Sequence, residues 1–254
     1  MSAALLEVRD LARSFGGVRA VDGISFEVEA GSVTGLIGPN GAGKSTALGV
    51  IAGAIDPSGG TVVFDGHDVT GASPMAVARR GLIRTFQISS EFGRLTVLEN
   101  LLVGAPGHPG ESLLGSLVYG GRAWKARERE LVQRARELLH RFELQDKEDE
   151  YAGNLSGGQK RLLEIMRGLM AAPKLLLLDE PMAGVNPTLA RKIEGHLGAL
   201  RDDGLTMLMV EHELGVVERL CDRVIVMAQG TVISEGTMES VRKSQEVLDA
   251  YLVG

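Results

Sequence analysis

Eight consecutive residues, Gly38-Pro-Asn-Gly-Ala-Gly-Lys-Ser45, constrain this chain more than any other feature. The pattern G-x-x-x-x-G-K-[ST] works only between a strand and a helix. Both are legible here. Val33-Thr-Gly-Leu-Ile37 precedes it as an apolar run, and Leu48, Ile51, Ala52 and Ile55 follow at the i, i+3, i+4, i+7 spacing of a helix. Glycines let successive amides curl into an anion nest, and the helix that follows offers phosphate its N-terminus and positive dipole end. Lys44 can bridge the β- and γ-phosphates of a nucleotide, and the Ser45 hydroxyl can ligate Mg²⁺. Four fixed positions match by chance in roughly three of every hundred chains this rich in glycine. The flanking strand and helix remove that reading. The phosphate-binding segment is Gly38, Pro39, Asn40, Gly41, Ala42, Gly43, Lys44, Ser45 and Thr46.

Such a segment needs a carboxylate to hold its metal. Leu175-Leu-Leu-Leu-Asp179-Glu180 supplies one at the end of a continuous apolar strand, the edge at which α/β sheets hold ligands. Asp179 can hold Mg²⁺ through water. The adjacent Glu180 carboxylate can take a proton from a water attacking the γ-phosphate.

The rest of the composition narrows the class. The chain has 254 residues, enough for one large domain. It holds 34 glycines, nearly twice the average share of roughly 7%, and only 4% aromatics. A net charge of −6 argues against nucleic acid as the main partner. The single cysteine, Cys221, excludes an intramolecular disulfide, and its place beside Val217 and Leu220 reads as a buried structural thiol. The first ten residues lack the basic and apolar regions of a signal peptide, and no apolar run approaches the ~20 residues of a membrane span. A cytosolic chain is expected.

Alternation along the chain sets the fold class. Leu6 and Val8, then Ile24, Phe26 and Val28, interleave with polar residues as half-buried strands, and Thr61–Phe64 reads as a further strand closed by Asp65-Gly66. Thr96-Val-Leu-Glu99 is a capping box opening a short helix. Residues 104–121 read as a loop with an apolar patch from Leu113 to Tyr119. Ala123 to Phe142 reads as a charged helix with Leu131, Ala135, Leu138 and Phe142 on one stripe. Strand and helix then alternate to the end: Leu175–Leu178, a helix marked by Leu189, Ile193, Leu197 and Leu200, then Leu205–Val210, a helix over 213–221, Val224–Met227, and Val232-Ile233. This predicts a layered α/β fold around a largely parallel sheet, with an N-terminal antiparallel β-subdomain. It is one domain over residues 1–254, carrying a helical insertion at about 90–165 and a helical tail at about 237–254.

Leu155-Ser156-Gly157-Gly158-Gln159 completes the pattern. Ser156 and two glycines ahead of the Leu162, Leu163, Ile165, Met166, Leu169 stripe form a second exposed helix N-terminus, hence a second anion site. In this order between the phosphate loop and the Asp-Glu strand, the segment resembles the signature of the ABC-type ATPases, and the resemblance covers almost the whole chain. It implies that Gln87, in Arg84-Thr-Phe-Gln87, contacts Mg²⁺ and water and couples the site to a transport partner. His212 sits at the family's switch position, where it would donate to the γ-phosphate, and Phe15 matches its adenine-stacking aromatic. The resemblance implies ATP and Mg²⁺ as cofactors, and a head-to-tail pair of cassettes, two copies of this chain or this chain with a similar paralogue. Each ATP would lie between Lys44 and Ser45 of one cassette and Ser156 and Gly158 of the other. It implies permease subunits as membrane partners, which would hold the chain peripherally at the cytoplasmic face of the cell's inner membrane.

The subgroup cues are narrower. Ala183-Gly-Val-Asn186-Pro187 carries Asn where many members carry Asp, and this form is similar to the ATP-binding subunits of branched-chain amino-acid importers and of related urea or amide importers. Val210-Glu-His-Glu213, Thr96-Val-Leu-Glu-Asn-Leu-Leu102 and the closing Leu248-Asp-Ala-Tyr251-Leu point the same way. ATP-powered import of branched-chain amino acids is therefore the expectation. An exporter cassette of the lipopolysaccharide-extraction type is the alternative within transport. A soluble ABC ATPase is the alternative outside it, although the interval from Lys44 to Ser156 leaves no room for a long coiled coil. His67, His108, His140 and His196 lack metal-ligand spacing and read as surface or helix-face residues.

Overall fold

The computed structural model describes residues 4–85, 91–105 and 121–252. The chain forms two compact units, Met1–Gln87 with Lys174–Ala183 and Ala190–Gly254, and Ile88–Pro173 with Gly184–Leu189.

The first unit holds two sheets. Strands β1 (Ala4–Phe15), β2 (Val18–Glu29), β4 (Gly59–Phe64) and β5 (His67–Asp68) form an antiparallel sheet in the order β2-β1-β4-β5. The alternation read from sequence holds: Leu6, Val8, Ile24, Phe26 and Val28 are buried, and Glu27 between two of them is exposed. The second sheet runs β10-β9-β3-β8-β7-β6, from β3 (Val33–Ile37), β6 (Leu82–Arg84), β7 (Leu175–Asp179), β8 (Thr206–Val210), β9 (Arg223–Ala228) and β10 (Thr231–Gly236). All its pairings are parallel except β9 with β10, which close through the turn at Gln229-Gly230.

Buried on both faces, β3, β7 and β8 carry continuous apolar runs, as parallel strands covered by helices do. Successive side chains still point to opposite faces. Leu36, Leu175, Leu177, Leu208, Val210, Ile225 and Met227 share a core with α1 (Lys44–Ile51) and with the antiparallel sheet. Ile37, Val224 and Val226 pack on the other side with Val217 of α7 (Leu214–Leu220), Met238 and Val241 of α8 (Met238–Arg242) and Val247 of α9 (Gln245–Leu252). Two short elements, α2 (Pro74–Arg79) and β6, were not expected from patterning. Ser73 caps the first, and hydrogen bonding to β7 makes the second.

The second unit is helical: α3 (Val97–Val103), α4 (Gly121–Arg141) and α5 (Gly157–Met170), with 3₁₀ turns at Gln145–Lys147 and Ala152–Asn154. The Thr96 capping box forms as expected, its hydroxyl accepting the Glu99 amide and its own amide donating to the Glu99 carboxylate. Asn100 is fully buried and satisfied: its amide donates to the carbonyls of Phe92, Leu95 and Thr96, and its Oδ1 accepts the Phe92 amide. On α4 the stripe differs by one position. Leu139 is buried with Leu131, Ala135 and Phe142, whereas Leu138 is half-buried, because the packed face follows i, i+4, i+8, i+11. The apolar patch expected from Leu113 to Tyr119 lies outside the described residues. Among those described, no helix is long and apolar enough to cross a membrane.

Cys221 follows α7 and is half-buried, with burial pushing its thiol pKa up to about 12. A methyl group on Gly35 of β3 would meet its sulfur at 3.0 Å and Val217 Cγ1 at 3.1 Å. Gly35→Ala is therefore expected to destabilise the chain by about 1–3 kcal/mol through overpacking. Adding Cys221→Ala should recover part of that loss in urea denaturation. Equal losses in the single and double variants would mean that the contact with the Cys221 sulfur is not the source of the strain.

Candidate functional site

Register places the site. Leu36 of β3 pairs with Val210 of β8, and Val210 pairs with Asp179 of β7, so three adjacent parallel strands end at one level. Just beyond that level come Gly38, Glu180, Glu211 and His212, on the carboxyl edge where α/β sheets bind ligands.

The loop 38–43 bends through left-handed backbone at Gly41 and Gly43, with φ of 79° and 98°. Gly43 has no alternative: a Cβ there would lie 2.1 Å from the Ala20 carbonyl oxygen. No side chain caps α1 behind it, so the first-turn amides stay available to an anion. Lys44 Nζ is buried and donates to the Gly38 and Pro39 carbonyls at 2.8 and 2.9 Å. Burial lowers its pKa, against the pull of Glu180 and Asp179. Asn40 to Thr46 line a cleft of about 210 Å³ together with Ala20, Glu180 and His212. Sequence reasoning grouped these loop residues with Glu180 and His212, and the structure brings them together.

Asp179 is fully buried behind the loop. Its Oδ1 accepts the Ser45 hydroxyl at 3.3 Å, and its Oδ2 accepts Arg84 Nη2 at 2.8 Å. Hydroxyl and carboxylate oxygens are the hard donors that Mg²⁺ takes, so Ser45 and Asp179 fit that ion. Arg84 was quoted in sequence only as the start of Arg84-Thr-Phe-Gln87. Its role as countercharge to Asp179 is visible only through the β6–β7 pairing.

Glu180 takes a left-handed φ of 50°, held by its amide donating to the Val210 carbonyl and its carbonyl accepting the Ala183 amide. His212 Nε2 donates to Glu180 Oε1 at 2.9 Å, which puts the ring in the Nε2–H tautomer or the cation. Neither group is deeply buried, so water reaches both.

Among the other expected residues, Ser156 caps α5, with Gln159 returning its side chain to the Ser156 amide. Gly157 and Gly158 open that helix as the signature reading requires. Asn186 caps the following α6 (Pro187–Asp202), its Oδ1 accepting the Leu189 amide at 3.0 Å. Phe15 is exposed, with the Arg13 guanidinium 4.5 Å from its ring centroid. Gln87 and His108 lie outside the described residues. Among the described ones, no group of three metal-ligating side chains collects anywhere.

A glycine loop, a buried lysine and a strand-end carboxylate on one sheet edge are the parts of a P-loop ATPase, and that is the chain's class. The family model described as ABC transporter matches residues 21–183, and the chain belongs to that family as one of its ATP-binding cassettes. It is 41% identical to the probable branched-chain amino acid transport ATP-binding protein LivG of Methanocaldococcus jannaschii, over 98% of this chain and 97% of that one. It is 38% identical to the high-affinity branched-chain amino acid transport ATP-binding protein BraF of Pseudomonas aeruginosa, over 99% of both. Among solved structures, it matches the ADP conformation of an ATP-binding cassette of an ABC transporter at 40% identity, a TM-score of 0.86 and full coverage of both chains.

Because Arg84 neutralises a buried carboxylate, Arg84→Ala is expected to cost about 3 kcal/mol of unfolding free energy. Introducing Asp179→Asn into the same chain should restore most of it, since no buried charge then lacks its partner. Additive losses of the two changes would contradict this pairing.

Proposed function

We propose that the chain is the ATP-hydrolysing subunit of a branched-chain amino-acid importer. The observation carrying this reading is the convergence of Lys44, Ser45, Asp179, Glu180 and His212 on one strand edge, in a chain similar throughout its length to LivG and BraF.

The loop amides and Lys44 bind the β- and γ-phosphates, Lys44 exchanging its two carbonyl partners for phosphate oxygens. Ser45, Asp179 and Gln87 would hold Mg²⁺, which when bound would supply positive charge against the charge that builds on the phosphates during transfer. A water oxygen attacks the γ-phosphorus as the bond to the β,γ-bridging oxygen breaks. Glu180 takes the proton of that water, and His212 donates to a γ-phosphate oxygen while orienting Glu180. Phe15 stacks on adenine.

A second cassette completes each site with Ser156, Gly157, Gly158 and Gln159, whose helix N-terminus faces the γ-phosphate. ATP therefore closes the pair and hydrolysis reopens it, a two-state element biased by one phosphate. The helical unit exposes Phe92, Val103 and Tyr151, apolar surface suited to a permease on the cytoplasmic side of the membrane.

Glu180→Gln is expected to lower turnover at least ~10²-fold while ATP still binds. Lys44→Ala should instead weaken binding, seen by equilibrium titration with ATP. Wild-type hydrolysis by the glutamine variant would remove Glu180 from the base role. For the cargo, vesicles containing this chain, its permeases and its binding protein should accumulate labelled leucine only with ATP inside the cassette compartment. Robust ATP-driven transport of another solute, with leucine excluded, would replace the cargo and keep the ATPase.

A further inference from the structure

Glu211 is a carboxylate that the mechanism above does not use, and it is almost fully buried. Its Oε1 accepts the Met182 amide at 2.9 Å, and its Oε2 accepts the His212 amide at 3.1 Å. The Glu213 amide donates to it as well. Burial pushes its pKa up, with the nearby Glu180 charge adding to that push and the three backbone hydrogen bonds opposing it. The site therefore disfavours the charged carboxylate, and the amides partly compensate. Its hydrogen bonds all come from backbone, and they come from two different loops.

Those loops carry the two groups that flank the attacking water. Met182 lies two residues beyond Glu180, and His212 is the neighbour of Glu211 itself. Glu180 holds a left-handed φ of 50°, a conformation that persists only where the surroundings over-determine it. The Val210 carbonyl fixes the amide of Glu180, and the Glu211 carboxylate fixes the chain on its other side. From these contacts we propose that Glu211 is a positioning residue, a clamp between the β7 and β8 loops that sets the 2.9 Å contact between His212 and Glu180. A neutral or shorter side chain lets the loops drift apart without touching the phosphate loop, which lies on β3. The proposal rests on the hydrolytic reading of Glu180 and His212.

The test uses the full chain with its transport partners, and five proteins: wild type, Glu211→Gln, Glu211→Ala, His212→Ala and Glu211→Ala combined with His212→Ala. Wild-type ATP turnover checks the hydrolytic reading separately. With that in hand, Glu211→Ala should lower kcat by about 10–10²-fold, as expected for misplaced catalytic groups. ATP affinity, measured by titration, should change by less than about threefold, because Lys44 and the phosphate loop, which make most of the contacts to the phosphates, stay in place. Glu211→Gln keeps one acceptor oxygen and nearly the same shape, so it should fold like wild type and lose a smaller part of kcat. If the alanine variant does not fold, the glutamine variant alone decides. The double variant should be no slower than His212→Ala alone, since both changes disable the same contact. Unchanged kcat in Glu211→Gln and Glu211→Ala, ATP affinity falling in step with kcat, or losses that multiply in the double variant would each overturn the clamp.

Discussion

The hydrogen-bond register of β3, β8 and β7 is the constraint on which the site depends. Parallel pairing fixes Leu36, Val210 and Asp179 at one height, so the residues that follow them emerge side by side. A slip of one residue in β7 would turn Asp179 from its buried place behind Ser45 to the opposite face of the sheet. The core resists that slip. Leu175 and Leu177 pack with α1, whose first residue is Lys44, and shifting them would exchange buried for differently buried apolar faces that do not fit. Packing of ordinary leucines thus holds the distance between the phosphate loop and the carboxylate that serves it.

Charge follows from the same geometry. Three carboxylates, Asp179, Glu180 and Glu211, end adjacent strands within a small volume, and each is managed differently. Asp179, fully buried, has a guanidinium and a hydroxyl. Glu211, almost as buried, has backbone amides and, among the described residues, no cation as a partner. Glu180, nearest the water, has an imidazole. The gradient runs from a buried ion pair, through a cradle of backbone amides, to an imidazole that water reaches. The proposed mechanism puts proton chemistry at the wet end of that series and structural anchoring at the dry end.

Much of this was legible in sequence, for physical reasons that can be named. Strands buried on both faces announce themselves as apolar runs, and a loop that must approach phosphate announces itself through glycine and lysine. Thr96 was found because a capping box is local, closed within three residues, and Ser156 because two glycines and an apolar helical stripe follow it directly. Arg84 and Glu211 were not found, because their roles are made across the sheet. Arg84 reaches Asp179 across 95 positions of sequence, from a strand of three residues too short to show a period. Glu211 sits in a run of polar residues whose chemistry only the loop after β7 reveals. Leu138 failed on a finer scale, because a stripe drawn at i+7 and one drawn at i+8 differ only in which neighbour the helix packs against.

The subgroup residues gain a physical meaning from this division. Asn186 keeps the Oδ1 that caps α6 and drops the charge that aspartate would bring, so the cap survives while the field at that helix start is weaker. Asn100, read in sequence only as part of Thr96–Leu102, closes the loop from Phe92 to Thr96 with four hydrogen bonds while leaving Phe92 exposed. A fully satisfied buried amide of this kind makes a rigid platform, and exposed Phe92 and Tyr151 belong to the unit that it stiffens. Under the closure proposed above, rigidity there matters: a soft platform would absorb the motion, whereas a stiff one would pass it to a docked permease. The same chain therefore spends its polar side chains in two ways, on chemistry at the strand edge and on stiffness in the helical unit.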